Sequence, residues 1–195
     1  MTSVSALNHI HKTGLFGNHE SKNVENLLKV SEIKNMLIVQ IVQYKNSSVS
    51  FESIEIDGLK LKNEPLSVVS NNDTRILWNG PKNWLLVSTK KDLLKNISEV
   101  LKEIDFAVTD LSHSRAIIEV EGHDVREVLK KGCPYNFNEL KKNICINSVF
   151  HGITLTIDMI DDRPEKLRLF VLRSFGESFY HSITDASLEF GYKTQ

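Results

Sequence analysis

Cys133 is the most tempting nucleophile in this sequence, because a thiol beside a helix end with Lys130 and Lys131 close by could be activated. Its setting argues for a structural role. Val125, Val128 and Leu129 fall on one helical face, so the string Gly132-Cys133-Pro134 follows a short helix and places Cys133 at its C-terminus. Carbonyl groups there present a negative potential that raises a thiol pKa, whereas activated cysteines favour the N-terminal end. Gly132 is expected to supply a left-handed stop, with Cys133 as a small buried side chain. His9, His11 and His19 suggest metal binding, since His-x-His can offer two imidazoles to one ion. Only Glu20 adds a carboxylate nearby, so no metal site is expected. His113, His151 and His181 are isolated, and nothing orients a base against a nucleophile.

Arg115 and Arg173 border apolar strands, each beside a serine, Ser114 and Ser174. Each could close a turn by pairing with Asp110 or Glu177, or could anchor a partner chain, where arginine is enriched. Trp78, Trp84, Phe175, Phe179 and Tyr180 are open to the same two readings, core or docking surface. The sequence has no Gly-x-Gly-x-x-Gly after a strand, no phosphate-binding Walker loop and no Cys-x-x-Cys. The chain is therefore expected to bring no cofactor of its own.

The elements that must position these residues are readable in part. Ala116, Ile118 and Val120 alternate with Ile117, Glu119 and Glu121, the two-residue period of a half-buried strand. Gly122 allows a sharp reversal, and Asp124 is placed to cap the following helix. Met36–Tyr44, Phe51–Ile56, Ile76–Trp78, Trp84–Val87, Ile144–Phe150, Ile153–Ile160 and Leu167–Leu172 read as strands. Lys91–Ile104 is predicted helical from the stripe Leu93, Leu94, Ile97, Val100, Leu101 and Ile104, with Thr89 and Asp92 as a capping box. A last helix is predicted over about Phe175–Phe190, with Ser174 and Glu177 as capping box and Gly191 as stop. Met1 to about Ser21 is polar and is expected to be a flexible N-terminal segment ahead of a domain over 22–195. Trp84-Leu-Leu-Val and its helix recur 85 positions later as Leu169-Phe-Val-Leu and a helix. That echo reads either as a common strand–cap–helix pattern or as a duplicated half.

Composition excludes some classes. A hydrophobic share of 41% with 25% charged residues is that of an ordinary globular protein, and a net charge of −1 gives no field to recruit nucleic acid or a membrane. No run of eighteen apolar residues and no signal segment is present, so a cytoplasmic chain is expected. Two cysteines, Cys133 and Cys145, suit free thiols in a reducing compartment.

Three blocks, in order, resemble the gamma subunit of heterotetrameric sarcosine oxidase. The first is Leu77-Trp-Asn-Gly-Pro-Lys-Asn-Trp-Leu-Leu-Val87. The second runs through Asp110, Ser112, Arg115, Gly122, Val125, Arg126, Gly132, Cys133 and Pro134. The third is Leu169-Phe-Val-Leu-Arg-Ser-Phe-Gly-Glu-Ser178. A more distant resemblance is to the folate-binding domain of glycine-cleavage aminomethyltransferases. The resemblance implies an α+β fold of two lobes, about 22–106 and 107–195, with antiparallel sheets and amphipathic helices. It implies a noncatalytic subunit with alpha, beta and delta partners, in a complex whose other chains carry FAD, FMN, NAD and zinc and whose one-carbon product passes to tetrahydrofolate or leaves as formaldehyde. A stand-alone folate-binding or aminomethyl-transfer enzyme and a scaffold for a related N-methyl amine dehydrogenase are the alternative readings. Cys133-Pro-Tyr-Asn136 departs from the family's usual Cys-Pro-Leu-Asp, so Asn136 stands where the relatives carry a carboxylate. An amide cannot act as an anionic base, so that departure implies at most a vestigial pocket. Trp78, Trp84 and Phe175 are the candidate interface residues.

Overall fold

A computed structural model describes residues 4–194. Along the chain its strands are β1 (Gly14–Phe16), β2 (Leu28–Glu32), β3 (Leu37–Gln43), β4 (Glu55–Ile56), β5 (Leu59–Lys60), β6 (Val68–Ser70) and β7 (Thr74–Gly80). There follow β8 (Asn83–Ser88), β9 (Phe106–Asp110), β10 (Arg115–Glu121), β11 (Cys145–Phe150), β12 (Ile153–Asp162), β13 (Glu165–Leu172) and β14 (Tyr192–Thr194). The helices are α1 (Leu93–Val100), α2 (Val125–Lys130) and α3 (Gly176–Ser187).

The chain divides into two compact units. The smaller holds Asn35–His113 with Asn143–Cys145. The larger holds the residues through Lys34, Ser114–Lys142 and the chain from Ile146 onward. This differs from a division near residue 106: the N-terminal strands β1 and β2 belong to the same sheet as the C-terminal half.

In the smaller unit a five-stranded antiparallel sheet runs β6-β7-β8-β3-β9, beside the β4-β5 hairpin. On one face its strands are apolar at alternate positions: Leu37, Val39 and Ile41, Trp84 and Leu86, with Ile76 and Phe106, pack with Leu93, Ile97 and Leu101. Helix α1 is shorter than its apolar stripe suggested. Val100 and Ile104 are exposed, Ile104 by 84%, and Leu101 already has extended torsion angles. The capping box is absent too, because the Thr89 hydroxyl donates to Asp73 at 3.2 Å and Asp92 makes no cap bond. Phe51–Ser53 is a 3-10 turn, and only Glu55–Ile56 of the expected strand pairs.

In the larger unit a seven-stranded sheet runs β1-β14-β2-β10-β13-β12-β11. The pairings of β10 and β13 are antiparallel, and β14 runs parallel to β2. Ala116, Ile118 and Val120 of β10, with Leu167, Leu169 and Val171 of β13, face α2 and α3. That core includes Val125, Val128, Phe179 and Ile183, with the Phe150 and Phe179 rings edge-on at 5.8 Å. The segment expected to be flexible is built into this unit: Leu7 is fully buried, and β1 pairs with β14. Helix α3 follows a 3-10 turn at Arg173–Phe175 and ends before Phe190, with no side-chain cap from Ser174. The repeated strand–helix pattern falls once in each unit, as β8–α1 and β13–α3.

Candidate functional site

The Asp-x-Ser turn is held by its own short side chains. Asp110 accepts from the Ser112 amide at 2.9 Å and the Ser112 hydroxyl at 2.5 Å. The Ser112 oxygen in turn accepts from the Ile38 amide at 3.0 Å, tying the turn to β3. Burial acts to raise the Asp110 carboxyl, but the Ser112 bonds and nearby His113 outweigh it and hold the group below the usual carboxylate range. Among the described residues, Arg115 takes neither Asp110 nor another carboxylate. Its Nη1 donates to the Ser114 carbonyl at 3.4 Å, and burial lowers its pKa. Arg173 likewise takes no Glu177 partner: its amide donates to the Ser114 carbonyl at 2.9 Å, and its guanidinium donates to the Val4 carbonyl.

The strand-to-helix corner at Gly122 has φ +140°, and its amide donates to the Glu165 backbone carbonyl at 2.9 Å. Asp124 occupies the cap position of α2 without a side-chain cap bond. Gly132 is not left-handed. Lys131 before it remains helical, and the Gly132 and Cys133 amides both reach the Leu129 carbonyl, at 3.2 and 2.9 Å. The glycine is required by packing instead, because Phe150 and His151 press on the position where a Cβ would be.

Cys133 is 5% exposed, and its sulfur lies 3.1 Å from the Ser148 hydroxyl. Burial pushes this thiol up, more than the Ser148 bond and the Tyr135 amide lower it. Cys145 is buried as well and donates to the Trp78 carbonyl at 3.2 Å. Asn136 caps a 3-10 turn at Phe137–Glu139. Its Oδ1 accepts from the Asn138 amide at 3.3 Å while its Nδ2 donates to Glu139 at 2.8 Å. Both ends of the amide are used, and a carboxylate could not make the second bond. Sequence reasoning missed Ser148 and Glu139 because neither stands in a motif.

Of the candidate interface aromatics, Trp84 is corrected to a core residue: it is 1% exposed, and its indole donates to the Lys62 carbonyl at 2.6 Å. Trp78 is half-buried and donates to Asn63 at 3.2 Å. Phe175 is exposed, as is Leu172. Gly176, overlooked in the third block, lets α3 begin against β10, since a Cβ there would lie 3.2 Å from those of Ala116 and Ala6. The N-terminal histidines have ordinary partners, with His11 at 2.9 Å from the Tyr180 hydroxyl and His19 donating to the Gly17 carbonyl at 2.7 Å.

On the sheet face opposite the helices, the larger unit carries a ladder of charge. Glu121 binds Lys29 and Lys166, each at 2.5 Å, and Glu119 binds Arg168 at 2.9 Å. Beyond the ladder, Arg115, Asn147, Thr154, Thr156, Phe170 and Leu172 line a groove of about 450 Å³.

A model of the family described as "Sarcosine oxidase, gamma subunit family" matches residues 50–189, more than half of the chain. The chain belongs to that family. A curated relative, the sarcosine oxidase subunit gamma of Corynebacterium sp. (strain U-96), is 29% identical over 120 residues, which span 60% of this chain and 58% of that protein. Among solved structures, a chain of heterotetrameric sarcosine oxidase from Corynebacterium sp. U-96, in complex with pyrrole 2-carboxylate, superposes with TM-score 0.79. It is 22% identical, over 96% of this chain and 95% of that one. The glycine cleavage system aminomethyltransferase T from Bartonella henselae has TM-score 0.67 at 13% identity, over 99% of this chain and 59% of that one. These likenesses establish the shared α+β, aminomethyltransferase-like fold.

Proposed function

We propose that this chain is a noncatalytic gamma subunit of a flavin-dependent heterotetrameric sarcosine oxidase in the cytoplasm, with alpha, beta and delta chains as partners. The complex oxidises the N-methyl group of sarcosine, giving glycine, hydrogen peroxide and a one-carbon unit that passes to tetrahydrofolate or leaves as formaldehyde. FAD, FMN, NAD and zinc are assigned to the other chains. What supports a structural role, beyond family membership, is how the tempting groups are used: Cys133 is buried against Ser148, and Asn136 spends both ends of its amide on a turn. A subunit of this kind affects activity through assembly, because binding that favours the folded complex stabilises the whole. Exposed Leu172 and Phe175, with half-buried Trp78, are among the apolar side chains open to that assembly.

The test is turnover per bound flavin in reconstituted complexes verified by mass. Asn136→Ala and Cys133→Ser are expected to stay within about threefold of the unmodified complex. A loss of about a thousandfold with assembly intact would place chemistry on this chain. Folate binding by the isolated chain would favour instead a stand-alone aminomethyltransferase-like role.

A further inference from the structure

Half-buried guanidinium groups in the larger unit are normally paired. Arg126 meets Glu165 at 2.6 Å with its side chain 19% exposed, and Arg168 meets Glu119 at 2.9 Å with its side chain 23% exposed. Arg115 is the exception. Its side chain has no carboxylate partner among the described residues, and its single long bond to the Ser114 carbonyl leaves most of its donors unused. It lies at the end of β10, opposite Leu172 in the register with β13, and it lines the groove on the sheet face away from the helices. The two-residue period brings Phe170 and Leu172 to that same face.

A guanidinium kept partly from water is a poor neighbour for apolar side chains unless an anion reaches it, and its planar fork fits a carboxylate best. The surroundings favour a carboxylate carried on a polypeptide over a free one. Leu172 is 40% exposed and Phe175, three residues on, is 46% exposed. The other wall is β11, the edge strand of the sheet, which contributes Asn147 and Val149. A small free acid would satisfy the charge and leave this apolar border in water. A protein segment would cover both. We propose that the Arg115 groove docks an Asp or Glu side chain of a partner chain, with Leu172 and Phe175 packing against apolar residues beside it.

The proposal rests on the assembly reading given above, and the test separates the two. Arg115→Glu places a negative charge in the groove. It is expected to lower the amount of flavoprotein copurifying with this chain by about thirtyfold or more, while the thermal midpoint of the isolated variant stays near that of the unmodified chain. Arg115→Lys supplies a second readout that does not depend on that variant folding well. In the assembled complex, carbodiimide treatment should form an isopeptide bond between the introduced amine and an acidic residue of another chain, identified by mass spectrometry. Unimpaired assembly of Arg115→Glu, or a cross-link confined to this chain, would overturn the docking proposal and leave the assembly reading standing. Stabilisation of the isolated chain by acetate, lost in Arg115→Glu without any loss of assembly, would also overturn it and mark a site for a free acid. Failure of the unmodified chain to assemble with the oxidase chains would overturn both.

Discussion

A Cβ atom at position 132 would lie 2.9 Å from Cε2 of Phe150 and 3.0 Å from Cδ2 and Nε2 of His151. The His151 ring is exposed and can turn aside, but Phe150 is fully buried and cannot yield cheaply. Gly132→Val should therefore cost about 1–3 kcal/mol as an overpacked site. Chemical denaturation would show this as a lower midpoint at unchanged slope, and an unchanged midpoint would refute the packing account. Asn136 supports a second prediction at this scale. Asn136→Asp would set a carboxylate against Glu139, removing the 2.8 Å donation and adding like-charge repulsion. The expected loss is about 0.5–1 kcal/mol, and added salt should shrink it because the pair is exposed. A stability gain in low salt would contradict this reading of the cap.

At the scale of elements, the N-terminal segment departs most from its sequence. Its polar composition hides how few apolar residues are needed to anchor it: Leu7 is fully buried, the Phe16 ring stacks on Tyr192 at 5.2 Å, and His11 meets the Tyr180 hydroxyl. Two glycines make this docking possible. Gly17 has φ +70° with its missing Cβ directed at the Leu188 carbonyl, and Gly191 has φ +71° with its own 2.6 Å from the Asn18 carbonyl. Gly191→Ala is expected to lower stability by about 2 kcal/mol or more, since both torsion and space oppose it. A thermal midpoint equal to that of the unmodified chain would show that the segment is not held there. The strands with strong alternation or continuous apolar runs, β3, β8, β10, β12 and β13, were legible because period and burial coincide in them. The short pairing of β14 with β2 was not, because parallel partners from opposite ends of the chain leave no local signal. Apparent capping boxes failed for a related reason: Thr89 found Asp73, a partner that sequence spacing cannot show. Cys133 was legible as a small buried side chain, whereas its Ser148 partner on an edge strand was not.

Across the whole molecule, carboxylates held below their usual range lie in both units, Asp57 and Asp110 in the smaller and Glu121 and Asp161 in the larger, whereas the tyrosines pushed up by burial lie in the larger unit alone. In the smaller unit, the Lys90 ammonium at 2.8 Å leads in holding Asp57 below the usual carboxylate range, helped by Thr74 and Asn71 against a raising effect of burial. The stability from that depressed group is present above about pH 4 and is lost as pH falls through its lowered value. In the larger unit, burial pushes Tyr180 up to about 12, with Tyr192 and Glu32 adding to the rise. Burial raises Tyr192 and Tyr135 as well, the first against a lowering bond from Thr184 and the second with help from Glu139. Stability from these raised phenols is fully present below about pH 10 and is lost as pH climbs through their folded values. Both tryptophans, Trp78 and Trp84, lie in the smaller unit, so their emission reports on that unit, while far-ultraviolet dichroism reports on both. On raising the pH, dichroism should therefore fall before tryptophan emission shifts. On lowering the pH, no such order is expected, because both units lose stability as their depressed carboxylates are protonated. Coincident dichroism and emission transitions at the alkaline end would mean that the units unfold as one and that the buried phenols do not set the order.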